Sequence, residues 1–235
     1  MHICLIDIDG TLVRTGGAGQ TAFAETLIAD FEIPEINTNV AFAGRSDRAI
    51  VADLFRDHGI SASDENWLRF RRGYLSRLDS ALRAHQGRVL PGVAELLAAL
   101  AARGDVALGL LTGNIHEGAR RKLTHFDLWH WFPFGGFGDE HVERCDIAAA
   151  ALAAARRHLS PTNGDTKSNG RSTANSQIIV IGDTEHDIRC GRSIGARCIG
   201  VATGQSTAEH LQTFAPDLAL ATLEDLPSIL SLFDE

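Results

Sequence analysis

Lysine is almost missing from this chain of 235 residues. Only Lys122 and Lys167 carry an ammonium, and arginine supplies the rest of the positive charge. With 22 basic against 30 acidic side chains the net charge is −8. No basic stripe exists for a nucleic-acid backbone, and an anionic ligand must be met by local donors or by a cation. Cysteine is sparse as well. Cys4, Cys145, Cys190 and Cys198 form no Cys-x-x-Cys pair, which argues against a zinc site and for reduced, mostly buried thiols in a cytoplasmic protein. No apolar run approaches the ~20 residues of a membrane span, and no charged leader with an apolar core opens the chain. Neither membrane insertion nor secretion is therefore expected. Apolar residues still make up 44% of the chain and charged residues 22%, enough for one substantial packed domain carrying an insertion.

The chemistry is concentrated near the start. Ile3-Cys4-Leu5-Ile6-Asp7-Ile8-Asp9-Gly10-Thr11-Leu12 is a strand-like apolar run ending in two carboxylates one residue apart. Alternate side chains of an extended strand share a face, so Asp7 and Asp9 should point the same way. Two like charges that close force one group neutral or draw a cation between them. Gly10 lets the chain leave the strand tightly. Three residues thus offer a nucleophile, an acid/base and half a metal site. The same residues also suit an Asp-Gly turn closing a hairpin, but the segment after them reads as helix rather than as a second hairpin strand.

Residues 2–7 read as a buried strand. After a flexible exit over 14–19, helices fit 20–31, stopped by Pro34, then 46–58, capped by Ser46, and 63–85. Next come a helix over 91–103, a buried strand over 106–111 running into Thr112-Gly113-Asn114, and a helix over 117–126. A short strand over 131–134 and an alanine-rich helix over 146–158 come after it. Residues 160–176 have almost nothing apolar and read as a mobile surface loop. A strand over 177–183, a helix ending near Gly195, strands over 197–201 and 218–220 and a helix over 227–233 complete the chain. Strands alternating with helices predict an α/β fold, a Rossmann-like parallel sheet with helices on both faces, plus an inserted all-helical module. The division is 1–14 and 87–235 for the core, and 15–86 for the insertion. Ligands of such sheets sit beyond the carboxyl ends of the strands, and Asp7, Thr112 and Asp183 all fall at such ends.

In these residues the sequence resembles the haloacid dehalogenase-like (HAD) hydrolase superfamily. Asp7-Ile8-Asp9-Gly10-Thr11 is similar to its first motif, Asp-x-Asp-x-Thr, and Thr112 stands where its second motif has Thr or Ser. Gly182-Asp183-Thr184-Glu185-His186-Asp187 resembles its fourth, Gly-Asp-x-x-x-Asp. The glycine-spaced segment 190–196 looks like that of phosphoglycolate phosphatase-like members. The resemblance covers nearly the whole chain and implies a HAD-like core with a helical cap. It makes Asp7 the nucleophile that becomes an aspartyl-phosphate and Asp9 the acid/base. It implies Mg2+ held by Asp7, the backbone carbonyl of Asp9, and Asp183. Asp187 would act through water or by holding a cationic group. Thr112, with Gly113, Asn114 and Gly10, would cradle the phosphate.

The third motif departs from the pattern. Relatives carry Lys-Pro at the start of the helix before the fourth-motif strand, and the matching place here holds Arg144. Arg144 is favoured on position for neutralising nucleophile and phosphate, with Lys122 as the alternative. In the insertion, Gly44-Arg45-Ser46-Asp47 is the candidate substrate-reading loop, Arg45 clamping the anionic end of a substrate or serving as an ordinary solvated arginine at a helix start. Glu185 and His186 read as a solvated loop pair. The expected function is a Mg2+-dependent phosphatase of a small phosphorylated metabolite resembling 2-phosphoglycolate. A sugar phosphomutase like beta-phosphoglucomutase and a non-catalytic binding paralogue are the rivals. No nucleic-acid or membrane partner is expected, and the oligomeric state is not legible.

Overall fold

A computed structural model describes residues 1–34, 40–160 and 177–234. The surface loop expected over 160–176 lies, apart from Ser160, outside the described residues, and so does Lys167. Strand β1 (His2–Ile6) is the centre of the molecule because it is short, apolar and flanked on both sides. β4 (Val106–Leu111) pairs with it in parallel, Ile3 opposite Ala107, and β6 (Ile178–Gly182) pairs on the other edge, Ile3 opposite Ile178. Two outer strands, β7 (Arg197–Val201) and β8 (Leu218–Leu220), extend the β6 side, and β5 (Gly135–Gly136) closes the β4 side. All five pairings are parallel, in the order β5-β4-β1-β6-β7-β8. The strand order reverses between β1 and β6, and that switch point is where a doubly wound sheet opens a crevice.

Strand periodicity sorts the core. Cys4 and Ile6 of β1 pack on one face with α4 (Val93–Arg103), α5 (His116–His125) and α9 (Leu226–Ser231). Ile3 and Leu5 point to the other face, against α6 (Arg144–Leu159) and α7 (Glu185–Ser193). The alanines of α6 let it lie close to the sheet: Ala148, Ala151 and Ala155 are fully buried.

Between β1 and α4 the chain builds a separate apolar cluster from α1 (Ala18–Phe31), α2 (Asp47–Asp57) and α3 (Asp64–Ala84). Ser46 and Ser63 cap α2 and α3 by accepting from Ala49 N and Asn66 N, each at 3.2 Å. Phe23 sits edge-on to Phe70 and Tyr74, with ring centroids 4.9 and 4.8 Å away. The entering and leaving strands of this block form a two-residue antiparallel ribbon. β2 (Val13–Arg14) pairs with β3 (Arg88–Val89), Val13 opposite Val89 and Arg14 opposite Arg88.

Several sequence expectations need correction. The strand over 131–134 is absent. Trp129–Trp131 is a 3-10 turn that buries Phe132, and the edge strand is Gly135–Gly136. Aromatic residues mimic a strand there, and glycine hides one: a Cβ on Gly136 would fall 2.3 Å from Ile147 O of α6, so only glycine fits. Helix α1 ends at Phe31, ahead of Pro34, because Glu32 turns left-handed at φ 57°. The ribbon and α8 (Ala208–Gln212) are too short to carry a period and have no counterpart in the sequence reading. The helices over 91–103, 117–126, 146–158 and 227–233 appear with ends shifted by one or two residues.

Phe70 is 1% exposed at the centre of the helical block. Phe70→Ala is expected to cost about 3–5 kcal/mol, read as a lower urea midpoint with an unchanged slope.

Candidate active site

The site is a cleft of about 520 Å³ over the carboxyl ends of β1, β4 and β6. Asp7 comes directly after the last residue of β1 and is held in line by its N–H to Ile181 O, 3.0 Å. Its side chain is buried. Asp183 comes directly after β6, also buried, and Thr11 Oγ1 donates to its Oδ1 at 3.3 Å. Oxygens of Asp7, Asp183 and Asp187 all lie within 4.8 Å of one another. Glycines allow this crowding. A Cβ on Gly10, whose φ is +90°, would fall 2.4 Å from Asp183 Oδ2, and one on Gly204 would fall 1.6 Å from it.

Two cations reach in from different helices. Arg144, the first residue of α6, donates through Nη2 to Asp187 Oδ1 and lies 3.4 Å from Asp7 Oδ1. Lys122, on α5, donates to Asp9 Oδ2 at 2.7 Å and to Asn114 Oδ1 at 2.6 Å. Asn114 Nδ2 donates in turn to the same Asp9 oxygen and to Thr112 Oγ1, each at 2.8 Å. Both cations are buried. Sequence reasoning posed them as alternatives; in the structure each serves a different member of the Asp7/Asp9 pair.

Charge is not balanced near Asp7. Three carboxylates share one guanidinium, so full ionisation would leave two negative charges uncompensated. Burial raises the carboxyls of Asp7 and Asp183 above the usual range. Arg144 opposes this for both, while repulsion adds to it, from Asp187 and Asp9 on Asp7 and from Asp187 and Asp7 on Asp183. Burial disfavours the Arg144 charge, but Asp187 and Asp7 hold it protonated. A hard divalent cation with oxygen ligands suits this donor set. Asp187 is the least available of the three: Oδ1 takes Arg144, and Oδ2 accepts from Thr184 N at 3.1 Å and Thr184 Oγ1 at 2.7 Å. Asp7 and Asp183 keep oxygens for a metal.

The helical block meets the site through the first turn of α2. Asp47 N donates to Gly113 O at 2.8 Å, and Asp47 Oδ2 accepts from Ile115 N at 2.9 Å. Ser46 Oγ donates to Val142 O at 2.7 Å. Gly113 is glycine because a Cβ would fall 2.1 Å from Arg45 O. The amino end of α5 is thereby capped from outside, by Asp47 and by Asp139, which accepts from His116 N. Thr112 lines the cleft, and its Oγ1 accepts from Asn114 N at 3.3 Å as well as from Asn114 Nδ2. Arg45 lines the cleft, but its Nη2 is bound to Asp53 Oδ2 at 2.6 Å and to Ala49 O at 3.3 Å. Glu185 lies in the first turn of α7, and the His186 ring rests where a Cβ on Gly44 would stand, 2.4 Å from Cδ2.

Sequence reasoning did not single out Asp139, Gly204 or Arg14 as site residues, and it took Asp47 only as part of a loop. Gly204 carried a usable signal, a glycine just past the carboxyl end of a parallel strand. Asp47 and Asp139 look like ordinary helix and loop acids until the docking is seen.

Known proteins agree with the fold. A family model described as haloacid dehalogenase-like hydrolase matches residues 4–201. The chain is 26% identical over 229 residues to a pyrophosphatase PpaX of Listeria monocytogenes, covering 96% of this chain and 94% of the relative. It is 24% identical over 244 residues to a phosphoglycolate phosphatase of Shigella boydii, covering 96% and 91%. The crystal structure of CbbY from Rhodobacter sphaeroides in complex with phosphate superposes with a TM-score of 0.71 at 18% identity, covering 96% of both chains.

Burial lifts the Asp47 carboxyl to about 6, with Lys122 and the Ile115 N–H opposing. A carboxyl raised in the folded state binds its proton more tightly there, so its contribution is favourable near pH 4 and is lost as pH rises to about 6. Asp47→Asn keeps an acceptor for Ile115 N–H without the charge. Its stability relative to wild type should improve by about 2 kcal/mol between pH 4 and pH 7, measured by urea unfolding at both values. An equal difference at both pH values would show that Asp47 is ionised at no cost.

Proposed function

The chain belongs to the haloacid dehalogenase-like hydrolase family, and from that premise we propose that it is a Mg2+-dependent phosphatase of a small phosphate monoester. The observation that carries the reading is the pairing of Asp7 with Arg144 and of Asp9 with Lys122 at the end of one strand. In the proposed reaction an Asp7 oxygen attacks phosphorus, the bond from phosphorus to the leaving oxygen breaks, and Asp9 gives that oxygen its proton. Water then attacks the aspartyl-phosphate, Asp9 takes the water proton, and inorganic phosphate leaves with Asp7 restored. Arg144 holds Asp7 in place and faces the negative charge of the phosphoryl group. Lys122 and Asn114 occupy one oxygen of Asp9, leaving the other for proton transfer. Thr112, Gly113 and Gly10 line the phosphoryl position. Mg2+ held by Asp7, Asp183 and the Asp9 carbonyl would supply charge neutralisation at the phosphoryl oxygens.

On this reading residues 15–86 are a cap closing over a core made of 1–14 and 87–235. The first turn of α2, bonded to Gly113 and Ile115, would exclude water from the cleft when closed. The names of the similar phosphatases and their full-length alignments favour turnover to free phosphate over a phosphomutase.

Phosphate release from p-nitrophenyl phosphate and a panel of monoesters should require Mg2+ and stop with EDTA. Asp7→Asn is expected to lower kcat by about 10³-fold or more while leaving the circular dichroism spectrum and melting profile of a folded protein. Near-normal turnover in that variant would remove Asp7 as nucleophile.

A further inference from the structure

The cleft holds one cation whose charge nothing in the described structure cancels. Arg45 is neutralised by Asp53, Arg144 by Asp7 and Asp187, and Lys122 by Asp9. Arg14 also lines the cleft, is exposed, and among the described residues has no carboxylate within 4.0 Å. It donates through Nη2 to the carbonyl oxygens of Thr203 at 2.7 Å and Gly204 at 3.5 Å. A guanidinium has five N–H donors, so most of the fork is unspent, and carbonyl oxygens do not cancel its charge.

A second observation points the same way. Arg14 stands directly opposite Arg88 across the antiparallel ribbon, and opposed residues share a face. Burial agrees, since Val13 is buried while Arg14 and Arg88 are both exposed. Like charges directly opposite destabilise a ribbon, and Arg88 likewise has no carboxylate partner among the described residues. In a chain with a net charge of −8, leaving two arginines together without an acid is a cost that an anionic ligand would relieve.

We propose that Arg14, supported by Arg88, is the subsite for a second anionic group of the substrate, a carboxylate or a further phosphoryl group. The proposal rests on the phosphatase reading for the identity of the first group. Arg14 grips the very loop whose Gly204 touches Asp183, so the second anion lies a few bonds from the transferred phosphoryl group, and the substrate is small.

The test compares matched esters. Wild type is expected to show at least tenfold higher kcat/KM for 2-phosphoglycolate, or for a short bisphosphate, than for ethylene glycol monophosphate. Whichever of the two anionic esters is preferred distinguishes carboxylate from phosphoryl. Arg14→Gln should reduce that preference at least tenfold, mainly through KM, and Arg88→Gln should reduce it less. Calorimetry with 3-phosphonopropionate and propylphosphonate reads the same preference as binding, without turnover. If no ester is hydrolysed but 3-phosphonopropionate binds more tightly than propylphosphonate and Arg14→Gln abolishes the difference, the phosphatase reading falls and the subsite stands. No preference in wild type, or an equal loss for both esters or both phosphonates in Arg14→Gln, overturns the subsite.

Discussion

Everything near the cleft answers to one constraint, the repulsion among carboxylates gathered at the ends of β1 and β6. Two unit charges 4 Å apart exchange about 4 kcal/mol even at an effective dielectric of ~20. Asp7, Asp183 and Asp187 come closer together than 4.8 Å, with Asp9 near at hand on the same loop. The fold meets this by bringing one cation from each neighbouring helix, Arg144 from the start of α6 and Lys122 from α5. Both helices are crossovers flanking the central strands, so the topology that places the carboxylates also delivers their counter-charges. The surplus of negative charge that remains is what makes a divalent cation a fitting ligand.

Close approach is the second condition, and glycine meets it. Gly10 and Gly204 press on Asp183 from two loops, fixing its carboxylate against Thr11. Gly113 lets the chain before α2 sit on the turn after β4. That contact puts Asp47 on Ile115 N–H and couples the helical block to the turn carrying Thr112 and Asn114. A buried acid used in this way carries its own penalty, seen in the raised Asp47 carboxyl. Binding to α5 therefore competes with the hydration that carboxylate would gain in water.

The central strands were legible because β1, β4 and β6 are unbroken apolar runs ending in chemistry-bearing residues. Asp7, Asp183 and Thr112 could be singled out from that placement. The short elements were not legible. The ribbon β2/β3 has two residues a side, and β5 is two glycines with no propensity for a strand. What makes β5 a strand is tertiary, pairing to β4 and contact with α6, while β2 and β3 pair only with each other. Arg45 shows the same limit at the level of a side chain. Its position beside the cleft is readable, but its ion pair with Asp53 eight residues on could be read only from the turn of α2. Arg14 looked like part of a flexible exit, and only the register against Arg88 and the reach to Thr203 gave it a role to test.

The third motif illustrates why residue type matters more than the motif match. The resemblance implies a lysine at this place, and here the chain places an arginine and a lysine on the two carboxylates of Asp7-x-Asp9. Arginine does not deprotonate in proteins, and its planar fork can hold two carboxylates at once. It therefore suits the group that must stay anionic to attack. Lysine is a compact charge with rotatable donors, and Lys122 spends them on a single Asp9 oxygen and on Asn114. On the proposed reading Asp9 must cycle a proton while Asp7 must not. Separate cations on separate helices allow the two states to change independently, which a single shared lysine between both carboxylates would not.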